Sequence, residues 1–236
     1  GGFPKHPNLR EGLAMRWFIL VVLSVQSLAF AGENFTGPSE YVARAEKARE
    51  DLALFRTGSK LPNWSKPCPI QVSVKENTRF VTSSGGGATS FTVDEGHVFG
   101  WSMSLYGPRA RLLDSVIPHE VNHMIVATLT RKKTPRWLDE GVSGLFENPQ
   151  DHHRLRENSK RFARSSWSAF RVFDRVGSYP SSSNDITALY ATGFTVVEWM
   201  LSRRDRTTLL RFMLDERLPS TKFADYYGMS PSLAEA

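Results

Sequence analysis

The chain has 236 residues, of which 40% are hydrophobic and 23% charged, and its formal net charge at pH 7 is +6. These fractions are ordinary for a globular protein, and the length suits one domain with a buried core. Cys68 is the single cysteine, which excludes an intramolecular disulfide. The basic residues are scattered, apart from 131–133 and the stretch 154–171, and no nucleic-acid motif accompanies them. We therefore interpret the positive charge as solvated surface and expect no nucleic-acid partner.

The first residues have the pattern of an export signal. An apolar run, residues 17–30, follows Met15 and Arg16 and ends in the small-x-small sequence Ala29-Phe30-Ala31. The run is short for a membrane span, so we predict a signal peptide and no stable span after its cleavage. Residues 1–31 are then an upstream extension with the signal peptide, and residues 32–236 are the mature domain. The expected location is secreted or periplasmic, and an N-terminal membrane anchor is the alternative.

Hydrophobic periodicity and turn residues predict an α+β domain. In the α+β part, residues 32–130, we expect a helix at 40–56, an extended linker at 62–69, strands at 69–74 and 79–82, and a flexible loop at 83–88. A hairpin of strands 89–93 and 97–106 follows, and then a helix that ends near residue 129. The helical part, residues 131–236, is expected to contain helices at 137–147, 151–176, 186–203 and 207–216, and a weakly structured end at 223–236. The predicted architecture is a small mixed or antiparallel sheet packed on the helix that ends near residue 129, followed by a mainly helical lobe.

That helix carries the strongest chemical signal, His119-Glu120-Val121-Asn122-His123. Histidines four apart share one helix face, so both imidazoles can reach a single ion, and Glu120 beside them can hold a water against it. The alternative is a helix with two surface histidines, but the neighbouring residues are apolar and would leave half-buried imidazoles without a partner. We predict one zinc ion whose third ligand is Glu140 on the next helix. Glu147 lies two turns further on the same face, where its carboxylate can orient a ligand histidine.

Two longer motifs carry a family resemblance. The His119 to His123 pattern, followed by Trp137-Leu138-Asp139-Glu140-Gly141, resembles a gluzincin zinc metallopeptidase. It is similar to the aminopeptidase N group and more closely to the peptidase-MA-like domains of secreted bacterial proteins. Tyr190-Ala191-Thr192-Gly193 is similar to that group's Tyr-x-x-Gly, which implies that Tyr190 is the transition-state tyrosine. The resemblance implies a zincin-like fold, and it implies that the strand before the zinc helix, 98–105, is an edge strand that pairs with extended substrate. A plain core strand is the alternative for that segment.

The predicted function is a secreted zinc-dependent peptidase that acts on a peptide or protein substrate. Glu120 would be the general base, and Asp139 is expected to face away from the ion, because one residue turns a helix by about 100°. Residues 83–88 lack the glutamate that aminopeptidases of this group use to hold a free amino terminus, which favours an endopeptidase. The alternative function is a catalytically silent zinc-binding protein exported as a surface or scaffold module. No Gly-x-Ser-x-Gly pattern supports a serine hydrolase, and the sequence predicts no oligomeric state.

Overall fold

The computed structural model describes residues 29–75, 85–177 and 179–231. Within these ranges the chain is α+β, as predicted, with five strands in one mixed sheet and helices that dominate the second half. The strands are β1 (Ala29–Ala31), β2 (Phe35–Pro38), β3 (Cys68–Val74), β4 (Gly86–Asp94) and β5 (His97–Gly107). The helices are α1 (Ser39–Thr57), α2 (Arg109–Arg111), α3 (Ile117–Thr130), α4 (Arg136–Gly144), α5 (Pro149–Phe162), α6 (Ser183–Arg203), α7 (Arg206–Leu214) and α8 (Pro219–Tyr227).

The sheet order is β1-β2-β3-β5-β4. β3 pairs with β5 in parallel, while β4 pairs with β5 in antiparallel fashion. The strand that immediately precedes the helical region is therefore interior, and the expectation that 98–105 is an edge strand is wrong. Among the described strands, the edge on that side of the sheet is β4, because β5 pairs with β3 on one side and with β4 on the other.

The predicted hairpin is confirmed, and its turn explains its register. Glu95 and Gly96 both have positive φ, at 46° and 75°, which is the geometry of a two-residue type I′ turn between antiparallel strands. β4 begins at Gly86, so the second half of the predicted loop at 83–88 is strand instead. The predicted strand at 79–82 lies outside the described residues, as do residues 1–28 of the predicted upstream extension and signal peptide. Residues 29–31 of that segment form β1.

α3 is entered through helical backbone that starts at Arg109. α2 runs directly into a π-helical turn, Leu112–Val116, and then into α3. Pro118 has no N–H and cannot donate to the carbonyl four residues back, and a wider turn just before it accommodates that missing bond. Val121, Met124 and Ile125 are fully buried in α3. The helix is therefore held rigidly between the sheet and the helical part of the chain.

Two hydrophobic clusters lie on either side of α3. One joins α1, β2, β3, β5 and α3 through residues such as Phe35, Met103 and Ile117. The other joins α4, α6, α7 and α8 through residues such as Trp137 and Phe212. Among the described residues, no helix combines the length and the apolar composition that crossing a bilayer requires.

Two expectations for the helical part are wrong. The helix expected at 151–176 ends at Phe162, and turns follow it, in a segment that contains several serines. The segment 223–236, expected to be weakly structured, is helical up to Tyr227, where α8 ends, and its residues 232–236 lie outside the described residues. Phe223 of α8 is fully buried, and its ring packs on Phe212 and Trp199.

Candidate metal centre

His119 and His123 lie on one face of α3, as their spacing predicts. Their ring centroids are 4.8 Å apart, and their side chains are 12% and 10% exposed. The packing of α3 between the two hydrophobic clusters places this face at the boundary between the sheet and the helical part.

Glu140 reaches the same point from α4, and its side chain is only 1% exposed. Its Oε2 atom lies 3.2 Å from Nε2 of His119 and 3.7 Å from Nε2 of His123. The nearest donor atoms of the three residues all lie within 4.8 Å of one another. Two imidazole nitrogens and one carboxylate oxygen therefore converge, so this buried group could hold a metal ion.

The opposite nitrogen of each imidazole faces a carboxylate. Nδ1 of His119 is 2.8 Å from Oε1 of Glu147, and Nδ1 of His123 is 2.9 Å from Oδ1 of Asp139. The contact of Asp139 is a hydrogen bond and that of Glu147 has ion-pair distance, and both leave Nε2 of the ring for a metal. Glu147 was predicted in the last turn of this helix, but it lies just beyond the end of α4 at Gly144. The expectation that Asp139 faces away needs correction, because its carboxylate sits behind His123, where it orients the ring.

The charges of this site fit a cation. Burial alone would lower the pKa of both histidines, but the carboxylates around them outweigh it and raise the pKa of His119 well above its usual range and that of His123 to about 9. Burial alone would raise the pKa of Glu140, because it disfavours the charged carboxylate. The charges of His123 and His119 and a hydrogen bond from Tyr179 outweigh burial and lower this pKa. The buried carboxylates therefore require positive charge between them, which either protons or a metal ion supplies. Two histidines and one glutamate are a ligand set that catalytic zinc sites use.

Glu120 is buried beside the two histidines, between α3 and β4. A Cβ atom added to Gly87 of β4 would lie 2.7 Å from Oε1 of Glu120. Thr89 of the same strand donates from its hydroxyl to the backbone carbonyl of Glu120 at 3.4 Å. The absence of a side chain at residue 87 is therefore what lets the edge strand pass against the predicted base.

Two tyrosines lie close to His119 and Glu140. The ring of Tyr190, on α6, lies 6.4 Å from the ring of His119 and 6.2 Å from that of Tyr179. The Tyr179 hydroxyl donates a hydrogen bond to Oε1 of Glu140. Burial raises the pKa of both tyrosines well above its usual range, and the Glu140 carboxylate raises it further, so both hydroxyls stay protonated.

Glycines set the distance between the helices that carry these groups. A Cβ on Gly141 of α4 would meet the carbonyl oxygen of Gly193 of α6 at 2.4 Å. A Cβ on Gly193 would meet the carbonyl oxygen of Trp137 at 2.3 Å. The two helices therefore cross backbone to backbone, and this close crossing brings Tyr190 within reach of the Glu140 side of the site.

A buried arginine ties the ligand-bearing helices to the rest of the molecule. Arg56 of α1 donates to the side-chain oxygen of Asn122 at 3.0 and 2.7 Å and to the carbonyl of Val142 at 3.3 Å. Asn122 in turn donates to Ser143, whose hydroxyl lies 3.2 Å from Nδ1 of His123. Neither this network nor Tyr179 was predicted from the sequence, and Asp139 was expected to face away from the ion. Asp139 alone had a signal, since it lies within the motif that contains Glu140.

A cleft of about 440 Å³ opens next to His123 and Asp139. β4 forms one wall, and the end of α3 and the start of α4 form the other. The cleft thus joins the edge strand to the converging histidine and carboxylate atoms. No known protein family, no curated protein and no solved structure matches this chain. What this site does therefore has to follow from its geometry.

Proposed function

We propose that this chain is a zinc-dependent peptidase of the gluzincin type, with a zincin-like arrangement of sheet and zinc helix. One observation carries the proposal: Nε2 of His119, Nε2 of His123 and Oε2 of Glu140 converge, while a carboxylate lies close to Nδ1 of each ring. Glu120 lies between the two histidines in sequence and against the edge strand in space. A site that merely stores a metal needs no buried carboxylate at that position.

Zinc bound by His119, His123 and Glu140 would polarise the scissile carbonyl and lower the pKa of a water from about 16 toward 7. Glu120 would accept the proton of that water during attack and then pass it to the leaving nitrogen. Tyr190 would donate a hydrogen bond to the oxygen on which negative charge develops, and its raised pKa keeps that proton in place. Glu147 and Asp139 would hold the ligand rings in position throughout.

Peptide capture is proposed to occur along β4. An edge strand presents unpaired backbone groups that bind an extended chain without regard to its sequence. Among the described strands, none pairs with β4 on the side away from β5, and β4 borders the cleft next to His123. Because residues 83–88 carry no carboxylate that could hold a free amino terminus, cleavage within chains is favoured over removal of terminal residues. We further propose that the chain is exported, with an N-terminal membrane anchor as the alternative.

The test combines metal content with proteolysis. The purified chain should contain one zinc ion and should degrade a denatured protein pool in a chelator-sensitive way. Glu120→Gln should retain zinc and lose hydrolysis, while His123→Ala should lose most of its zinc. Glu95→Gln, in the exposed hairpin turn, is the matched control and should change neither property. A zinc-loaded wild-type chain without hydrolysis would favour a silent zinc-binding module, and full activity in Glu120→Gln would remove the base assignment.

A further inference from the structure

Basic side chains outnumber carboxylates in the lining of the cleft next to His123. Three of its lining residues are basic, namely Lys132, Lys133 and Arg136. Of the residues that line the cleft, all of them in the described part of the chain, Asp139 is the one carboxylate. That carboxylate is already engaged with His123 and with Arg136, whose Nη1 lies 3.3 Å from its Oδ2. The lining of the cleft therefore carries more positive than negative charge.

The three cations differ in what they can offer to a ligand. Lys132 donates to the carbonyls of Leu214 and Asp215 at 3.2 and 2.8 Å, so its ammonium is held by the end of α7. Arg136 is held by Asp139 and by the carbonyl of Gly177 at 3.0 Å. Lys133 is exposed, and within the described ranges no carboxylate forms an ion pair with it. The ammonium of Lys133 is thus free to meet an incoming anion, while the other two contribute a fixed field.

The rest of the cleft lining is partly apolar. Phe91 and Val93 of β4, Val126 of α3 and Val176 line it, together with the hydroxyl-bearing residues Thr89, Ser90 and Thr134. Apolar walls suit the aliphatic stem of a side chain, and they strengthen electrostatic interactions by excluding water. A ligand that fits both parts has an aliphatic portion and a carboxylate at its end.

We propose that this cleft is a specificity subsite that binds a carboxylate of the substrate close to the scissile bond. The inference rests on the proposed peptidase function, because the cleft adjoins both His123 and the β4 edge along which a peptide would lie. Two sources supply this chemistry: the side chain of a glutamate or aspartate, and the free C-terminal carboxylate of a peptide. Lys133 is the residue that selects for it.

Peptide pairs that differ only in charge test the proposal. Each pair places Glu or its isostere Gln at one of the three positions on either side of the scissile bond, with the C-terminus amidated. A second series compares free and amidated C-termini on a neutral peptide. We expect one position, or the free terminus, to raise kcat/KM by about three- to fivefold, the range that a partly exposed charge pair produces. The preference should shrink in about 1 M salt, where the screening length falls to about 3 Å.

Variants assign the preference to Lys133. Lys133→Ala should bring the Glu-to-Gln ratio of kcat/KM close to one, and Lys133→Arg should restore it. Lys66→Ala removes an exposed lysine that does not line the cleft and should leave the ratio as in the wild type. A ratio of one in the wild type, or a preference that survives in Lys133→Ala, overturns the subsite while leaving the peptidase intact.

A binding measurement separates failure of the subsite from failure of the proposed function. If the wild type cleaves no peptide, the peptidase proposal fails, and the zinc-loaded Glu120→Gln chain is titrated with fluorescent Glu and Gln peptides and with free and amidated C-termini. Tighter binding of the carboxylate-bearing member, lost in the double variant Glu120→Gln with Lys133→Ala, supports the subsite. Equal binding of both members overturns it.

Discussion

The Tyr179 hydroxyl donates a hydrogen bond to Oε1 of Glu140, the oxygen that does not face the two histidines. The guanidinium of Arg136 lies 4.5 Å over the Tyr179 ring and holds the ring from the other side. Tyr179 therefore fixes the rotation of the Glu140 carboxylate and leaves Oε2 directed at Nε2 of both imidazoles. This geometry gives Tyr179 a positioning role toward the proposed ligand.

Tyr179→Phe should weaken zinc binding by about tenfold, the low end of the effect of removing a group that orients a ligand. The phenyl ring keeps the packing against Arg136, so the fold should survive. Competition with a chromophoric chelator measures the affinity, and Tyr106→Phe, at an exposed tyrosine of β5, is the matched control. An unchanged zinc affinity in Tyr179→Phe would mean that Glu140 is positioned by the histidines alone.

Tyr190→Phe should have the opposite pattern of effects. The Tyr190 hydroxyl is proposed to stabilise developing charge on the substrate, and loss of one such donor typically lowers the rate by about 10²–10³. Zinc affinity should stay at the wild-type value, because Tyr190 interacts with the ring of His119 and with Tyr179, and none of the described hydrogen bonds joins its hydroxyl to a donor atom of the site. Turnover and zinc affinity measured on the same preparation distinguish the two tyrosines. If Tyr190→Phe lowered the zinc affinity but left turnover unchanged, Tyr190 and not Tyr179 would be the residue that positions the metal ligands.

Asp139→Asn should lower zinc affinity by about 10- to 100-fold. The amide keeps the size of the side chain but removes the charge that faces Nδ1 of His123. Asp114→Asn, at an exposed position of the π-helical turn before α3, is the control and should bind zinc normally. Equal affinities of the two variants would show that Ser143, 3.2 Å from the same nitrogen, is enough to orient the ring.

Gly141→Ala should destabilise the fold by about 1–3 kcal/mol. The new Cβ would stand 2.4 Å from the carbonyl oxygen of Gly193, and a backbone atom in a packed helix cannot move aside. Gly144→Ala lies on the same helix, and its Cβ would meet a side-chain atom of Phe194 at 3.2 Å. That ring can shift, and alanine favours the helix over glycine by up to about 1 kcal/mol, so Gly144→Ala should be close to neutral. Urea unfolding of both variants measures the difference, and equal losses would contradict the close crossing of α4 and α6.

The sequence predicts the parts of this site that depend on local geometry. Helical spacing alone brings His119 and His123 to one face of α3. Glu147 lies close to the ring of His119, although α4 ends at Gly144 and does not extend to residue 147 as predicted. Tyr179 could not be found in this way, because it lies in an irregular segment whose path is set by the packing of α4 and α6. The same limit explains the error at the sheet edge. Strand order depends on which strands pair across the whole chain, and the proximity of β5 to α3 in sequence does not determine it.

The two wrong predictions for the helical part have a related cause. Residues 151–176 contain basic and apolar residues that read as one helix, but the chain turns after Phe162 and buries Ala169, Val172 and Phe173 against α4. Phe223 and Tyr227 lie in the segment 223–236, which was expected to be weakly structured, but both are core residues of the second cluster. The structure of these segments depends on the tertiary burial of a few side chains, and the hydrophobic periodicity of the sequence did not reveal it.

Zinc binding should strengthen as the pH rises from about 6.5 to about 9. In the absence of metal, Asp139 and Glu140 raise the pKa of His123 to about 9 against the effect of burial, so its ring carries a proton at neutral pH. A metal binds the neutral ring and must displace that proton, so the apparent affinity increases until the pH passes the raised pKa. The chelator competition repeated at several pH values checks this slope, and His97→Gln, at an exposed histidine of β5, should leave it unchanged.

The stability of the metal-free chain should change in the opposite direction. A histidine whose pKa is raised by folding stabilises the fold fully below its unfolded pKa of about 6.5, and that contribution is lost as the pH rises through about 9. The free energy of unfolding in chelator should therefore fall across this range, while the increment from added zinc should grow. Thermal unfolding with chelator and with zinc at both ends of the range measures the two slopes. Parallel slopes would mean that the ion does not replace the protons between His123 and its carboxylates.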